Sequence, residues 1–558
     1  MILASPEKIK EYTEKGWWGQ KTLIEYFKEN VKNNPDRVAL IDPPNKEELV
    51  GLPPQRLKYK ELDRIADAVA TCFMEMGIGK DDIVMVQMPN SWELAMLYIA
   101  ITRAGAHISP LPVQWRRREL EYIAKLTEAK AIITVNEFKG FNYKKQAEEI
   151  KSTLPHIKHV IVLEELRKMA EEGVDYDRLD KVEITANDIF TLCWTSGTEA
   201  DPKGCPLSHN NWINQARIQI DTADIRPGDV QLTAGPLVNM ASVGTTFVEW
   251  LILGGTFVLH HPFTPEIFIK QMIEEKVNYT LIVPAVGNMI VKHPKVDEFD
   301  LSNVRTITMG SAPPSLFTIK EFKRRWNISI GNIWGQNEGT ALISGPKDVP
   351  DLEKRVDHLP QFGKPGTKWS TEIASRIQTK IVEPGTGKVL TKVGEVGELA
   401  YKGPNVIPGY FKRPDLTEKA FDEEGYFYTG DLFEIREDNF ISFFDRKKDI
   451  IIRGGFNISA QEIENILLGH PNVIDVAAVA MPDEILGERV CVYVVPKQGV
   501  KMTLEDLTSY MKERGVAVYK LPERMEIIDE IPRNPVGKIL KSRLREDIKK
   551  KLKEQDKV

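Results

Sequence analysis

Apolar residues recur every three or four positions over residues 57–76, crowd together in a short strand-like stretch over 82–88, and resume helical spacing over 92–103 before Gly105. A 3.6-residue period predicts a helix with a buried stripe, and a short apolar run between polar residues predicts a buried strand. The alternation continues with strands over 131–135 and 159–163. It starts again with strands over 230–233, 256–259 and 279–283 and helices over 242–253 and 266–276. Two successive rounds predict two mostly parallel sheets covered by helices. From about 363 to 444 the texture changes to short strands and Gly/Pro turns, as where 380–382 turns at Pro384-Gly385-Thr386-Gly387 into 388–390. This predicts a small, strongly twisted sheet or barrel.

After the charged run 445–449 comes a compact pattern of helices over 461–468 and 504–512 and strands over 475–480 and 489–495, with a charged, helix-prone tail after Lys541. The fold class is therefore α/β. A large N-terminal domain over 1–447 carries two α/β sheet layers and a small β-barrel-like subdomain at about 363–444, and a small α+β domain over 448–558 follows. The Gly16-Trp17-Trp18-Gly19 stretch and the amphipathic residues up to Phe27 are read as core packing.

Composition narrows the function classes. A chain of 558 residues with 42% hydrophobic and 28% charged residues and a net charge of −6 is globular, with no basic surface for nucleic acid. The amino terminus lacks a basic segment followed by an apolar one, and the longest apolar run, 247–259, is broken by Glu249. A cytoplasmic protein without a membrane span is expected. Cys72, Cys193, Cys205 and Cys491 show no metal-ligand spacing and read as core or loop thiols in a reducing compartment.

Five clusters are harder to explain as packing. After the apolar strand 189–194, residues 195–204 offer hydroxyls, two glycines and Lys203, a composition suited to cradling a triphosphate. It is not the common P-loop, because Lys203 precedes Gly204 and no hydroxyl follows. Gly310-Ser311-Ala312-Pro313-Pro314 follows the strand 305–309, at a strand end where open sheets bind ligands. Trp334-Gly335-Gln336-Asn337-Glu338-Gly339 puts a carboxylate after another strand, 329–334, where it could ligate Mg²⁺ beside a triphosphate. Asp431, in Tyr428-Thr429-Gly430-Asp431, could accept two ribose hydroxyls. Lys538 sits on the Pro/Gly-rich stretch 532–538.

These clusters occur in the order and approximate spacing of the adenylate-forming (AMP-binding) enzymes, the superfamily of acyl-CoA synthetases, luciferases and stand-alone adenylation domains. The resemblance covers nearly the whole chain. The loop resembles the family's Thr-Ser-Gly-Thr-Thr-Gly-x-Pro-Lys-Gly, matching at Thr195, Ser196, Gly197, Thr198, Pro202, Lys203 and Gly204. The resemblance implies that residues 195–204 hold the ATP phosphates, with Lys203 catalytic, and that Gly310, Ser311, Ala312 and Pro313 flank adenine. Trp334 and Gly335 then lie between nucleotide and acyl site, Glu338 is the Mg²⁺ ligand, and Asp431 and Arg446 are ribose contacts. Lys538 resembles the lysine that enters the site during adenylation, and Lys448 the hinge residue, at 445–449, of a mobile C-terminal lid. Gly454 and Gly455 resemble the glycines of the thiol-acceptor tunnel.

The implied reaction joins a carboxylate to ATP, giving an acyl-adenylate and pyrophosphate, after which coenzyme A displaces AMP. The matching acyl pocket is Val238, Asn239, Met240 and Val243, with Gly310; the family usually has a histidine or aromatic where Asn239 stands. Met240, Val243 and the lack of a nearby cation point to an apolar acid. Residues 293–302 resemble fatty-acyl ligases, whereas Gly16-Trp17-Trp18-Gly19 resembles the branch acting on aromatic and alicyclic acids. A medium- to long-chain fatty acid is the first expectation and an aryl or alicyclic acid the alternative. Loading of an acyl carrier protein and assembly as a homodimer stay open. Glu199-Ala200-Asp201 departs from the family's loop, placing carboxylates beside a polyphosphate unless they point away or are paired.

Overall fold

The computed structural model describes residues 1–195, 201–454, 456–533 and 538–555. They pack into two compact units: 1–195, 201–379 and 401–427 form one, and 380–400 with the described residues from 428 onward form the other. The stretch 363–444, expected as one β-rich portion, is shared between them.

The first unit holds two sheets. One has eight strands, in the order Thr340–Ser344, Ser329–Gln336, Thr306–Gly310, Tyr279–Ile282, Val230–Thr233, Thr256–Leu259, Val38–Ile41 and Arg56–Lys58. Its six inner strands run parallel and its two edge strands antiparallel. The other has six, in the order Gly204–Ser208, Ile189–Trp194, His107–Pro110, Ile83–Gln87, Ala131–Thr134 and His159–Val162. Helices fill the space between the sheets. In His209–Ala223, Trp212 donates through Nε1 to Thr191 of the six-stranded sheet, while Gln219 reaches Thr308 of the eight-stranded sheet. Helix Trp92–Arg103 is buried along nearly its whole circumference, as its all-round apolar sequence requires.

The helix expected over 242–253 starts at Met240 and passes through a π-helical segment, Val243–Phe247. The cause is local. Gly244 leaves helical geometry where a Cβ would lie 2.7 Å from the Trp212 ring and 2.9 Å from Met240 Sδ. Trp18 is buried and donates through Nε1 to the Pro404 carbonyl, consistent with core packing.

Two buried histidines tie this unit's stability to pH. His209 Nδ1 accepts the Leu23 N–H, and His260 Nε2 accepts the Thr264 N–H, so protonating either nitrogen breaks a bond. Burial pushes His209 down to about 3 and His260 to about 4. Because the folded values lie below the unfolded one, their contribution is full above about pH 6.5 and is lost as pH falls toward 4, at about 1.4 kcal/mol per pH unit for each. All ten tryptophans lie in this unit, so their fluorescence reads its unfolding alone. The urea midpoint is expected to be clearly lower at pH 5.5 than at pH 7.5; equal midpoints would refute the assignment.

In the second unit, the hairpin expected around Pro384 forms, with Ile381 opposite Leu390 and Val382 opposite Val389. These strands continue into Val396–Lys402, Phe427–Ile435 and Phe440–Arg446. A second sheet is built on the long hairpin of Val473–Asp483 and Gly487–Pro496, with Ile451–Arg453, Phe456–Ile458 and Arg524–Ile527 added, and helices Ala460–Leu468, Leu504–Glu513 and Lys541–Gln555 beside it. The 445–449 run is not a uniformly solvated turn. Lys447 and Lys448 are exposed, whereas Asp445 and Asp449 are buried. Asp445 accepts from Ser459 Oγ and Gln461 N–H at the start of helix Ala460–Leu468, and Asp449 pairs with Arg545. Three residues beyond Lys538, the buried Lys541 ammonium lies 2.9 Å from Glu464.

Candidate active site

Strand Gly204–Ser208 returns antiparallel beside Ile189–Trp194, so Thr195 and Lys203 stand at the ends of the paired strands. The Thr195 N–H donates to the Lys203 carbonyl (3.0 Å), and the Lys203 N–H donates to Thr195 Oγ1 (3.3 Å), which closes the loop's base. Ser196, Gly197, Thr198, Glu199 and Ala200 lie outside the described residues. Asp201 is exposed, 4.0 Å from Arg118, and so has a cation beside it. Cys193 and Cys205 face each other below the loop as buried free thiols.

Lys203 and Glu338 meet through a residue the sequence reading missed. Lys203 Nζ donates to Tyr410 Oη (2.8 Å) and lies 4.2 Å from that ring's centroid. The Tyr410 hydroxyl donates to Glu338 Oε1 (2.8 Å), which is 3.7 Å from Lys203 Nζ. Burial and then the Glu338 charge push the tyrosine far above its ordinary value, so it remains a donor. Glu338 itself is buried. Its backbone is set by the turn that follows strand Ser329–Gln336: Ile407 N–H donates to the Glu338 carbonyl, and Gly339 has φ +86°.

Gly339 cannot be replaced without moving the Glu338 turn, since a Cβ would overlap the Asn405 carbonyl oxygen in a backbone region that already disfavours side chains. Gly339→Ala is expected to cost roughly 2–4 kcal/mol of first-unit stability, read by tryptophan fluorescence in urea. A loss below about 0.5 kcal/mol would show that the turn relaxes freely.

Asn337, also missed, links three elements. Its Nδ2 donates to the Trp194 carbonyl (2.9 Å), and its Oδ1 accepts from the Met240 N–H (2.9 Å). The phosphate-loop strand, the Glu338 turn and the acyl segment therefore share one side chain. Val238, Met240 and Val243 are buried. Asn239, the departure from the family's usual residue, accepts from Ser242 N–H and carbonyl-bonds Val243 N–H, so it caps the segment. Gly310 ends the neighbouring strand opposite Ile333, next to Trp334 and Gly335, and a Cβ on it would lie 2.8 Å from Ile333 Cγ2. Ser311 turns the chain there with φ +75° and is exposed; Ala312 and Pro313 are half-buried. Lys203, Glu338, Met240, Gly310 and Trp334 thus gather in the first unit around adjoining strand ends and the loop base.

The remaining predicted residues belong to the second unit. Asp431 is buried and stands directly opposite Arg446 across two antiparallel strands. Lys448 follows one turn later. Gly454 has φ +54° and donates its N–H to the Leu486 carbonyl; Gly455 lies outside the described residues. Lys538 is half-buried, on a loop closed by pairing of Arg533 with Ile539 and by the Leu540 N–H to Pro532 carbonyl bond. Residues 534–537 lie outside the described residues.

Glu338 fits a hard cation of the Mg²⁺ kind. Among the described residues, no three His, Cys, Asp or Glu side chains gather as a metal cage, and Mg²⁺ is commonly held by one or two carboxylates with phosphate oxygens and water supplying the rest. A buried carboxylate beside Lys203, at the base of a hydroxyl-rich loop, offers that donor set.

The comparisons give the class of protein in which this arrangement occurs. The AMP-binding enzyme family matches residues 27–411, and the AMP-binding enzyme C-terminal domain matches 462–538. The chain belongs to the AMP-binding enzymes, the adenylate-forming acid–CoA ligase family. It is 31% identical to the medium-chain fatty-acid–CoA ligase of Escherichia coli, over 97% of this chain and 93% of that one. It is 30% identical to the 2,3-dihydroxybenzoate-AMP ligase of Bacillus subtilis, over 98% and 97%. In fold it matches ATP-bound MatB from Rhodopseudomonas palustris with a TM-score of 0.80 at 24% identity, covering 94% of this chain and 99% of the other. Among the described residues no helix is long and apolar enough to cross a membrane.

Proposed function

We propose that the chain is an ATP-dependent acid–CoA ligase working through an acyl-adenylate. The observation that carries this reading is the Lys203–Tyr410–Glu338 group at the base of the 195–203 loop, a cation and a buried carboxylate bridged by one hydroxyl. A substrate carboxylate oxygen attacks the α-phosphorus of ATP, the bond to the bridging oxygen breaks, and pyrophosphate leaves. The coenzyme A sulfur then attacks the acyl carbonyl, the bond to the AMP oxygen breaks, and the thiol proton passes to solvent.

In this reading Lys203 meets negative charge on the phosphates held by Thr195 to Thr198, and Tyr410 keeps Glu338 oriented. Glu338 would hold Mg²⁺, which when bound adds positive charge to the polyphosphate. Gly310 to Pro313 take the adenine, with Trp334 and Gly335 between it and the acid. Asp431 accepts the ribose hydroxyls with Arg446 beside it. Lys538 serves the first step, Lys448 is the hinge of the 448–558 lid, and Gly454 and Gly455 make room for the thiol.

The acid enters beside Val238, Met240 and Val243. The relatives' names include both a fatty acid and a dihydroxybenzoate. The buried polar groups below Gly310, described next, favour a compact ring acid over a long alkyl chain. One relative is named as an AMP ligase and not as a CoA ligase, which keeps an acceptor other than coenzyme A, such as an acyl carrier protein, as a second reading.

The test is coenzyme A-dependent AMP release over fatty acids of varied length, benzoates and cyclohexane carboxylates. Release with some of these is expected. Acid-dependent pyrophosphate exchange without coenzyme A-dependent release would favour a carrier acceptor, and neither activity with any acid would overturn the reading.

A further inference from the structure

One face of the eight-stranded sheet is lined by core aliphatic residues, and the other mixes apolar residues such as Phe257, Leu259 and Ile333 with polar ones. Leu232, Val258, Ile282, Ile307, Met309 and Ile330 pack into the core on one side. Alternation puts the intervening residues on the opposite face, and register makes Gln231, Tyr279 and Thr306 neighbours there, with Thr308 and Gly310 following along the same strand. Thr308 lies two residues below Gly310, about 7 Å along the strand, roughly the length of an aromatic ring.

The helices on this face bring more polar groups to that depth. Gln219 donates to Tyr279 Oη and to Thr308 Oγ1 (2.8 Å), leaving its Oε1 without a partner among the described residues. Gln231 is fully buried, and neither its Oε1 nor its Nε2 has a partner among them. Glu249, on the helix that continues from Met240 and Val243, is fully buried, and neither carboxyl oxygen meets another residue's donor. Phe247 and Trp250, on either side of it in the chain, pack on Phe257, the register neighbour of Gln231, so its helix lies over the same face of the sheet. Burial holds the Glu249 carboxyl well above the usual range, so it is protonated and both donates and accepts.

Each such group left unsatisfied costs about 1–3 kcal/mol. We propose that Gln219, Gln231 and Glu249 form a polar floor beneath the acyl pocket that recognises a hydroxyl group on the far side of the substrate acid. A hydroxyl donates and accepts at once, matching a protonated carboxyl and two amides, whereas an alkyl end would leave all of them unpaired. This assignment rests on the acid–CoA ligase reading and sharpens its substrate class to hydroxylated, compact acids.

The test uses matched pairs on the full chain: benzoate with 3- and 4-hydroxybenzoate, cinnamate with 4-hydroxycinnamate, and 4-(aminomethyl)benzoate as the cationic counterpart, each scored by kcat/KM for pyrophosphate release. At least one hydroxylated acid is expected to exceed its parent by about 100-fold or more, as sites built around a buried hydroxyl do. Glu249→Leu and, independently, Gln219→Leu are expected to erase most of that ratio by slowing only the hydroxylated acid, while Glu249→Gln, which still donates and accepts, keeps it. Tryptophan fluorescence confirms folding, and either leucine variant suffices if the other fails to fold. Preference for the parent or the aminomethyl acid, or equal losses on both members of a pair, overturns the floor but not the ligase. No pyrophosphate release with any acid overturns both.

Discussion

Glu338→Gln is expected to lower acid-dependent ATP–pyrophosphate exchange by about 10²- to 10³-fold, the size typical of removing one preorganised electrostatic group. The substitution is nearly isosteric, and the turn that carries it is fixed by backbone features, Gly339 and the Ile407 N–H bond, that do not involve the side chain. Tyr410 can donate to the amide oxygen as it does to the carboxylate, so the Lys203–Tyr410 contact stays. What disappears is one negative charge at the position proposed to hold Mg²⁺. Exchange is therefore expected to stay low as Mg²⁺ is raised, with the tryptophan-monitored urea midpoint close to that of the parent. Unchanged exchange at ordinary Mg²⁺ would exclude Glu338 as the ligand.

The parts of the fold legible in the sequence were those where burial is one-sided or complete. Strands such as 131–134 and 230–233, and helix Trp92–Arg103, show as apolar runs because the interior surrounds them. Helix His209–Ala223 escaped notice for the opposite reason. Lying between two sheets, it buries Asn210, Asn211, Asn214, Gln215 and Gln219, so its polar positions mark no solvent face. Several of them bond loop backbone instead, as Asn211 does at the Pro404 and Val406 carbonyls and Asn214 at the Trp17 carbonyl. The returning strand Gly204–Ser208 was hidden by Pro206, which an edge strand tolerates because one side of its backbone needs no ladder bond.

The site divides along similar lines. Lys203 and Glu338 stood out because charge beside glycine at a strand end is hard to explain by packing. Tyr410 did not, because a tyrosine between Gly409 and Phe411 looks like core, and only the fold brings residue 410 to residues 203 and 338. Glu249 was read merely as an interruption of an apolar run. A lone carboxylate in such a run carries no sign of whether it is paired, solvated or poised for a ligand; its complete burial with neither oxygen hydrogen-bonded to another of the described residues supplies that.

Lys538→Ala is expected to separate the two half-reactions. The lysine belongs to the second unit, on a loop whose base is held by the Arg533 and Ile539 pairing and by the Leu540 bond to Pro532, and the neighbouring Lys541 is anchored separately on Glu464. Truncating Lys538 leaves these two attachments of the loop in place and removes its cation. If that cation stabilises charge developing on the phosphates and carboxylate as the acyl-adenylate forms, acid-dependent pyrophosphate exchange falls by about 10²- to 10³-fold. Thioester formation involves no transfer at the α-phosphorus, so from a supplied acyl-adenylate and coenzyme A it is expected to stay within about threefold of the parent. Lys538→Arg keeps the charge but spreads it over a planar fork, and is expected to recover only part of the exchange rate. Equal loss in both half-reactions would remove Lys538 from the first step, because a lysine serving one transition state cannot lower both alike.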